Sequence, residues 1–109
     1  MNDLVTKRCS PQHGPALTRP QAEGFLNQLT GWTLDTGAKE LRRTFAFKDY
    51  YAGIAFVNAV AWIAHREDHH PELTVGYNTV TVAFSTHSVL GLSENDFICA
   101  AKIDALGAA

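Results

Sequence analysis

The sequence predicts an α+β domain whose elements follow the order α-β-β-α-β-β-α. Two stretches alternate apolar and polar residues around a short turn, as β-hairpins do, and three others place apolar residues at helical spacing. This combination is typical of a four-stranded antiparallel sheet with helices packed on one face. The pattern covers residues 18–109, where we predict a single domain. Residues 1–17 lack periodicity and contain two prolines and a glycine, so we predict an irregular N-terminal tail.

The starts of the three predicted helices carry capping signals. Thr18-Arg-Pro-Gln21 is a capping-box pattern with proline in the first turn, and Gly31 marks the end of that helix. Asp49 is a natural N-cap for the longest helix. Ser93 caps the last one, and Asp96 adds a carboxylate in its first turn, where the helix dipole favours negative charge.

Both predicted hairpins have one apolar face. In the first, a turn at Thr36-Gly37 separates two strands whose apolar positions are Trp32, Leu34, Leu41, Phe45 and Phe47. Arg43 falls on that apolar side, and the sequence does not explain it. In the second, a turn at Asn78 separates strands whose apolar positions are Leu73, Val75, Tyr77, Val80, Val82 and Phe84. Its opposite face carries small residues that a solvated or intersubunit surface would tolerate.

The longest helix is predicted from Tyr50 to Asp68 and is ended by Pro71, because proline disfavours helical geometry at the residue before it. It carries two apolar stripes, Ile54-Val57-Ala61-Ala64 and Phe56-Val60-Ile63. A single sheet covers only one stripe, so the second indicates contact with another subunit.

The composition argues against several function classes. The net charge is −2 and the nine lysines and arginines are scattered, whereas direct nucleic-acid binding needs a concentrated basic patch. No apolar run approaches the ~18 residues of a membrane span, and the first residues do not resemble a signal peptide. We therefore expect a cytoplasmic protein in which Cys9 and Cys99 are free thiols.

Three of the five histidines lie within six residues, in the stretch His65-Arg-Glu-Asp-His-His-Pro-Glu72. A metal site is one interpretation, because His65 and His69 share a helix face, but the stretch lacks a clean set of zinc ligands. Polar decoration of an exposed helix end is another, since helix C-termini favour cationic side chains. In the same stretch Arg66 and Glu67 are most simply solvated helix residues.

Proton transfer is the third interpretation. His69 and His70 occupy the point where the helix gives way to a strand, so their rings can diverge around one cavity. If the second hairpin folds back as predicted, His87 returns beside them. Three histidines without an accompanying nucleophile or cofactor motif indicate general acid/base chemistry on a bound small molecule.

Four short motifs resemble the signature of the pterin-4a-carbinolamine dehydratases: His69-His70-Pro71-Glu72, Tyr77-Asn78, Ser85-Thr86-His87 and Gly91-Leu-Ser-Glu-Asn-Asp96. The resemblance covers about residues 18–106. It implies the element order given above, a homodimer or homotetramer, and a lyase that dehydrates 4a-hydroxytetrahydrobiopterin to quinonoid dihydropterin. The pterin is the substrate, and neither a cofactor nor a metal is implied. The reaction would serve an aromatic amino-acid hydroxylase.

The resemblance also implies the site residues. His69 or His87 would assist departure of the hydroxyl group, and His70 would handle the proton on N5. The residues expected to bind the substrate are Asp68, His69, His70, Pro71, Ser85, Thr86, His87 and Ser88. His65, where the family often has glutamate, and Asp96 would support the histidines from behind. The alternative is a non-catalytic dimerisation or regulatory module on the same fold.

Overall fold

A computed structural model describes residues 3–107. Residues 1–2 of the predicted tail and 108–109 of the predicted domain lie outside the described residues. The helices are α1 (Arg19–Leu26), α2 (Tyr50–Glu67) and α3 (Glu94–Asp104). The strands are β1 (Thr33–Leu34), β2 (Leu41–Ala46), β3 (Glu72–Val75) and β4 (Thr79–Phe84). Short 3-10 turns lie at Leu4–Thr6 and His87–Val89. The predicted α+β class and element order are confirmed.

The four strands form one antiparallel sheet in the order β1-β2-β4-β3. The two central strands bury the apolar side chains of Leu41, Phe45, Val80, Val82 and Phe84. The opposite face of the same strands is polar, and there the hydroxyls of Thr44 and Thr81 form a hydrogen bond of 2.8 Å. The sheet therefore has one apolar face, as the alternation predicts.

The predicted helix starts are confirmed. Thr18 and Gln21 form a capping box at α1, and the Asp49 carboxylate accepts a hydrogen bond from the Ala52 N–H at α2. Ser93 and Asp96 form a second capping box at α3. The end of α1 differs from the prediction, because the helix stops at Leu26 and the chain reaches Gly31 through turns.

The predicted extent of α2 is confirmed to within one residue, but the helix ends for a different reason. Glu67 is its last residue, and Asp68 adopts the left-handed conformation, with φ of 52°. The helix therefore stops before Pro71 restricts the backbone, because a left-handed residue breaks the helical path on its own. This turn directs the chain out of the helix just before His69.

Arg43, the exception on the apolar side of β2, has a specific partner. Its guanidinium donates to the Thr30 carbonyl at 2.8 Å and to the Asp104 carboxylate at 2.9 Å, and lies 4.4 Å from the centre of the Phe45 ring. Asp104 also accepts from the Trp32 indole N–H at 2.9 Å. A charged group is tolerated here because it is paired and stacked on an aromatic ring.

The two stripes of α2 have different surroundings. Phe56 and Val60 are buried against the sheet, whereas Ala61 and Trp62 are exposed, with 61% of Trp62 accessible. Tyr51, nearer the start of the helix, is 80% exposed. In the other stripe Ile54, Val57 and Ala64 are half-buried and only Ala61 is exposed, so one chain covers that stripe in part.

The lead-in, residues 3–17, is packed on the domain. Leu4 is fully buried within the hydrophobic core, and Lys102 of α3 donates to the Val5 carbonyl at 2.8 Å. Lys7 pairs with Glu94 at the start of α3, at 2.6 Å. After its first turn the segment contains no helix or strand, yet it contributes to the core.

We expect Leu4→Ala to lower the free energy of unfolding by about 2–5 kcal/mol, because it leaves a cavity in the core. Urea denaturation measures this value, and Leu106→Ala, at a position 42% exposed, serves as the control. A loss no larger than the control's, within ~0.5 kcal/mol of zero, would mean that the lead-in is not packed on the domain.

Candidate active site

A cleft of about 680 Å³ opens where α2 ends, α3 begins and strands β3 and β4 meet the lead-in. This volume lies within the ~300–1,000 Å³ typical of small-molecule sites. Of the residues predicted to act on or bind a substrate, seven line the cleft: Asp68, His69, His70, Ser85, Thr86, His87 and Ser88.

His69 is held in one orientation. Its ring stacks on Phe84, with centroids 5.7 Å apart and planes 8° from parallel. Its Nε2 lies 2.6 Å from Oδ1 of Asp96. Because an ionised carboxylate only accepts hydrogen bonds, Nε2 carries the proton and Nδ1 is left as the basic nitrogen of the neutral ring. The ring therefore has a defined tautomer as well as a fixed position.

Asp96 is fully buried and serves two elements at once. Its Oδ2 accepts from the Ser93 N–H at 2.9 Å, which closes the cap of α3, and from the Thr86 hydroxyl at 2.8 Å. The Thr86 proton is committed to Asp96, so the Ser93 hydroxyl, 2.7 Å away, donates to Thr86. The predicted supporting residue Asp96 thus contacts His69 directly.

His70 and His87 are exposed within the cleft. His70 Nδ1 lies 3.3 Å from the Pro71 carbonyl, so when this bond forms Nδ1 donates and Nε2 remains free to accept a proton. His87 begins the 3-10 turn that follows β4. The return of the second hairpin does bring His87 to the same cleft as His69 and His70, and the roles assigned to the three remain predictions.

Two predicted site residues lie elsewhere. Pro71 and His65 border a smaller apolar hollow of about 350 Å³, which shares Asp68, His69 and His70 with the cleft. The His65 ring packs on Trp62, at 5.8 Å between centroids. His65 is thus oriented by an exposed aromatic ring, and its predicted support of the histidines remains a prediction.

Sequence comparison identifies the family. The sequence profile described as Pterin 4 alpha carbinolamine dehydratase matches residues 15–106. The chain belongs to this family. Its predicted resemblance is therefore confirmed.

Relatives and solved structures within this family are similar over most of the chain. Proteins provisionally named pterin-4-alpha-carbinolamine dehydratase are 55% identical in Nitrosospira multiformis, over 97% of this chain and 94% of the relative, and 58% identical in Stenotrophomonas maltophilia, over 94% and 90%. A transcriptional coactivator/pterin dehydratase from Brucella melitensis superposes with a TM-score of 0.79 at 36% identity, over 84% of this chain and 97% of that one.

A second solved structure is more distant. It is a pterin dehydratase-like protein identified as a RuBisCO assembly factor in the alpha-carboxysome, with a TM-score of 0.60 and 26% identity. The comparison covers 70% of this chain and 88% of that one. The two solved structures are therefore described by roles other than dehydration as well: one as a transcriptional coactivator and the other as a RuBisCO assembly factor.

Residues 9–12 form a wall of the cleft that sequence reasoning missed, and they precede the family match. Asn95 of α3 holds this wall: its Oδ1 accepts from the Ser10 N–H at 3.2 Å, and its Nδ2 donates to the Ser10 carbonyl at 2.8 Å. The Ser88 hydroxyl donates to the Gln12 carbonyl at 3.0 Å. The segment has no periodicity, so no local signal reveals these contacts.

The prediction for Glu67 was wrong. It was predicted to be solvated, but it is buried and accepts from the Cys9 N–H at 2.8 Å, while Arg8 pairs with it at 3.0 Å. Burial pushes the pKa of Glu67 up, but the hydrogen bond from Cys9 and the charges of Lys102 and Arg8 outweigh it, and the net pKa is lowered. The helix end thereby binds the lead-in through an ionised carboxylate.

The two cysteines, distant in sequence, are close in space. Their sulfur atoms lie 3.5 Å apart and both thiols are free, as predicted. The hydrogen bond between Cys99 and Cys9, together with burial, raises the pKa of Cys99. This keeps Cys99 a neutral thiol, which packs as a small apolar group beneath the cleft.

Within residues 3–107, no cluster of three or more histidine, cysteine or acidic side chains has the arrangement of a metal site. Over the same residues, no helix is long and apolar enough to cross a membrane. The side chains that line the cleft present imidazole, hydroxyl, carboxylate, carboxamide and thiol groups.

We expect Glu67→Gln to destabilise the protein at neutral pH, and the difference from the unchanged protein to disappear in acid. Because the pKa of Glu67 in the folded protein lies below its ordinary value of 4.5, the carboxylate stabilises the fold fully above pH 4.5, and this stabilisation is lost as pH falls through the folded pKa. Urea denaturation at pH 7 and pH 3 measures both values.

The control for this pH effect is Glu23→Gln, which alters an exposed i,i+4 pair with Arg19 and should change stability by less than ~0.5 kcal/mol at either pH. A Glu67→Gln difference that persists unchanged at pH 3 would contradict the assignment of an ionised, stabilising Glu67.

Proposed function

We propose that this protein dehydrates 4a-hydroxytetrahydrobiopterin to quinonoid dihydropterin and water by general acid/base catalysis. The observation that carries the proposal is a cleft lined by three histidines, one of which is held by a buried carboxylate. Membership of the family supplies the substrate class.

The reaction needs only proton transfers. The bond between C4a and its hydroxyl oxygen breaks, the oxygen takes a proton and leaves as water, and N5 loses its proton as the C4a–N5 double bond forms. An acid must therefore stand near the hydroxyl and a base near N5. Neutral and protonated imidazoles serve both purposes, typically accelerating such steps by ~10²–10⁴.

In this proposal His69 or His87 protonates the departing hydroxyl, and His70 accepts the proton from N5. His69 is suited to its part because, when it carries both protons, its positive charge lies against Asp96 at hydrogen-bond distance. His70 and His87 are exposed in the cleft and reach a bound ligand directly. Ser85 and Ser88 would bind the polar edges of the pterin, beside Thr86, whose hydroxyl is engaged by Asp96 and Ser93.

The proposal includes the setting of the reaction. The protein acts in the cytoplasm, where it returns the oxidised pterin of an aromatic amino-acid hydroxylase to the recycling route. It acts as a homodimer or homotetramer, and the exposed aromatic side chains of Tyr51 and Trp62 on α2 support association, because exposed apolar surface commonly marks subunit contacts.

A non-catalytic interaction module on the same fold is the second candidate. The assembly factor among the solved structures favours it, since that protein shares the fold at 26% identity. A module of that kind would not need three histidines in one cleft. It would also not need a fixed tautomer for His69, the most buried of the three. The two candidates predict opposite results in a single assay.

We expect the protein to accelerate dehydration of enzymatically generated 4a-hydroxytetrahydrobiopterin, followed by absorbance, with a metal chelator present throughout. His70→Ala and His87→Ala should each lower the rate by ~10²-fold or more. His13→Ala, at an exposed position outside the cleft lining, is the control and should retain full activity. No acceleration by the well-folded protein would refute the dehydratase proposal and favour the interaction module.

We expect Asp96→Asn to lower kcat by at least about tenfold with little change in KM. The amide presents a donor as well as an acceptor, so it no longer fixes the His69 tautomer. Ser93→Ala is the matched control: it loses the cap hydroxyl, at ~0.5–2 kcal/mol of stability, without removing the carboxylate from His69. Equal kcat values for the two variants would show that Asp96 acts only through stability.

A further inference from the structure

The two thiols face each other where the lead-in meets α3. Cys9 belongs to the wall formed by residues 9–12, is half-buried and lines the cleft. Cys99 lies on α3 and is fully buried. Their sulfur atoms are 3.5 Å apart, although the two residues are 90 positions apart in the chain. The proposed dehydration uses neither thiol, so their contact has no part in that reaction.

The backbone on the Cys9 side is fixed to the two helices. The Cys9 N–H donates to Glu67 at 2.8 Å, and Ser10 is bonded to Asn95 through both its N–H and its carbonyl. Cys99 lies one turn after Asn95 on the same helix. Because the S–S bond of a disulfide is about 2.05 Å long, the sulfur atoms need to approach by about 1.5 Å. Small rotations of the two side chains supply such a distance.

The unequal burial of the two thiols gives them different chemistry. Cys9 lines the cleft, so a small oxidant that enters the cleft reaches its sulfur, whereas the Cys99 sulfur is shielded from solvent. Cys99 is also kept neutral, since its hydrogen bond with Cys9 and its burial raise its pKa. It therefore resists the oxidant and contacts the one sulfur with which it can react. An accessible cysteine beside a resolving cysteine is the arrangement of a redox-sensitive pair.

We propose that Cys9 and Cys99 are a modification site that forms a reversible disulfide with hydrogen peroxide as the oxidant and ties the lead-in covalently to α3. The Cys9 sulfur attacks a peroxide oxygen: an S–O bond forms, the O–O bond breaks, and water leaves with the Cys9 thiol proton. The Cys99 sulfur then attacks the resulting sulfenic acid. An S–S bond replaces the S–O bond, and the hydroxyl group leaves as water with the Cys99 proton.

The sulfur atoms lose the two electrons that the peroxide gains, so two thiols and one hydrogen peroxide give one disulfide and two water molecules. The new bond closes a loop between positions 90 residues apart, and closing a long loop stabilises a fold by restricting the unfolded chain. A dithiol reductant reverses the reaction. The covalent attachment of the lead-in, and of the cleft wall within it, thus follows the peroxide level.

The test is treatment of the reduced full chain with a modest excess of hydrogen peroxide, followed by intact mass measurement and tryptic mapping without reductant. Trypsin places the two cysteines on separate peptides, residues 9–39 and 67–102. We expect a single chain to lose two hydrogen atoms and to give these two peptides joined. Its Tm should rise by about 10 °C, and dithiothreitol should reverse both changes.

Two variants separate the roles of the thiols. In Cys99→Ala, peroxide should leave Cys9 as a sulfenic acid that dimedone traps, because the resolving thiol is gone. In Cys9→Ser, the buried Cys99 should take up no dimedone. Neither variant should gain Tm on oxidation, and circular dichroism checks that both are folded. The result for the unchanged chain stands without either variant.

The opposite results would overturn the proposal. If peroxide yields no joined peptide, or if non-reducing electrophoresis shows that the joined peptides come from two copies of the chain, the pair is not a disulfide site. Dimedone labelling of Cys9→Ser that equals that of Cys99→Ala would reverse the assignment of Cys9 as the accessible thiol. A joined peptide with an unchanged Tm would show that the bond does not secure the lead-in.

Discussion

The buried carboxylate of Asp96 is the interaction on which the rest of the structure depends. An ionised carboxylate without solvent is costly unless donors surround it, and here three donors do: the Ser93 N–H, the Thr86 hydroxyl and the His69 ring. These donors come from the start of α3, the end of β4 and the end of α2. The group that caps a helix therefore also sets the position of a histidine, so the start of α3 and the orientation of His69 depend on the same side chain.

The end of α2 supplies the second constraint. Asp68 has a left-handed backbone, which is unfavourable by ~1 kcal/mol or more for a residue with a Cβ atom. The turn sends His69 inward onto Phe84 and Asp96, while His70, the next residue, is exposed in the cleft. A helix continuing to Pro71 would keep both histidines on the helical path. The strained residue is therefore what allows adjacent rings to approach one cleft from different directions.

The sequence predicts those features whose cause is local. Caps at Thr18, Asp49 and Ser93 each depend on residues within one helical turn, and the hairpin alternation that returns His87 to the cleft depends on neighbours along a strand. Glu67 and Arg43 were not predicted, because each has a partner far away in sequence: the lead-in for Glu67, and Thr30 with Asp104 for Arg43. Nothing in a local pattern distinguishes a solvated charge from one paired across the fold.

The cleft has two parts, one formed by the region that matches the family and one formed by the lead-in that precedes it. The histidines and Asp96 belong to the region that matches the family, residues 15–106, whereas the wall at residues 9–12 precedes it. That wall is held by Asn95 and Glu67, on the two helices that also carry or adjoin the histidines. In the proposed function, proton transfer depends on the first part, and the shape and polarity beside the substrate depend on the second. Changes in the lead-in can therefore alter which ligand fits while His69 keeps its hydrogen bond to Asp96, because that bond involves no residue of the wall.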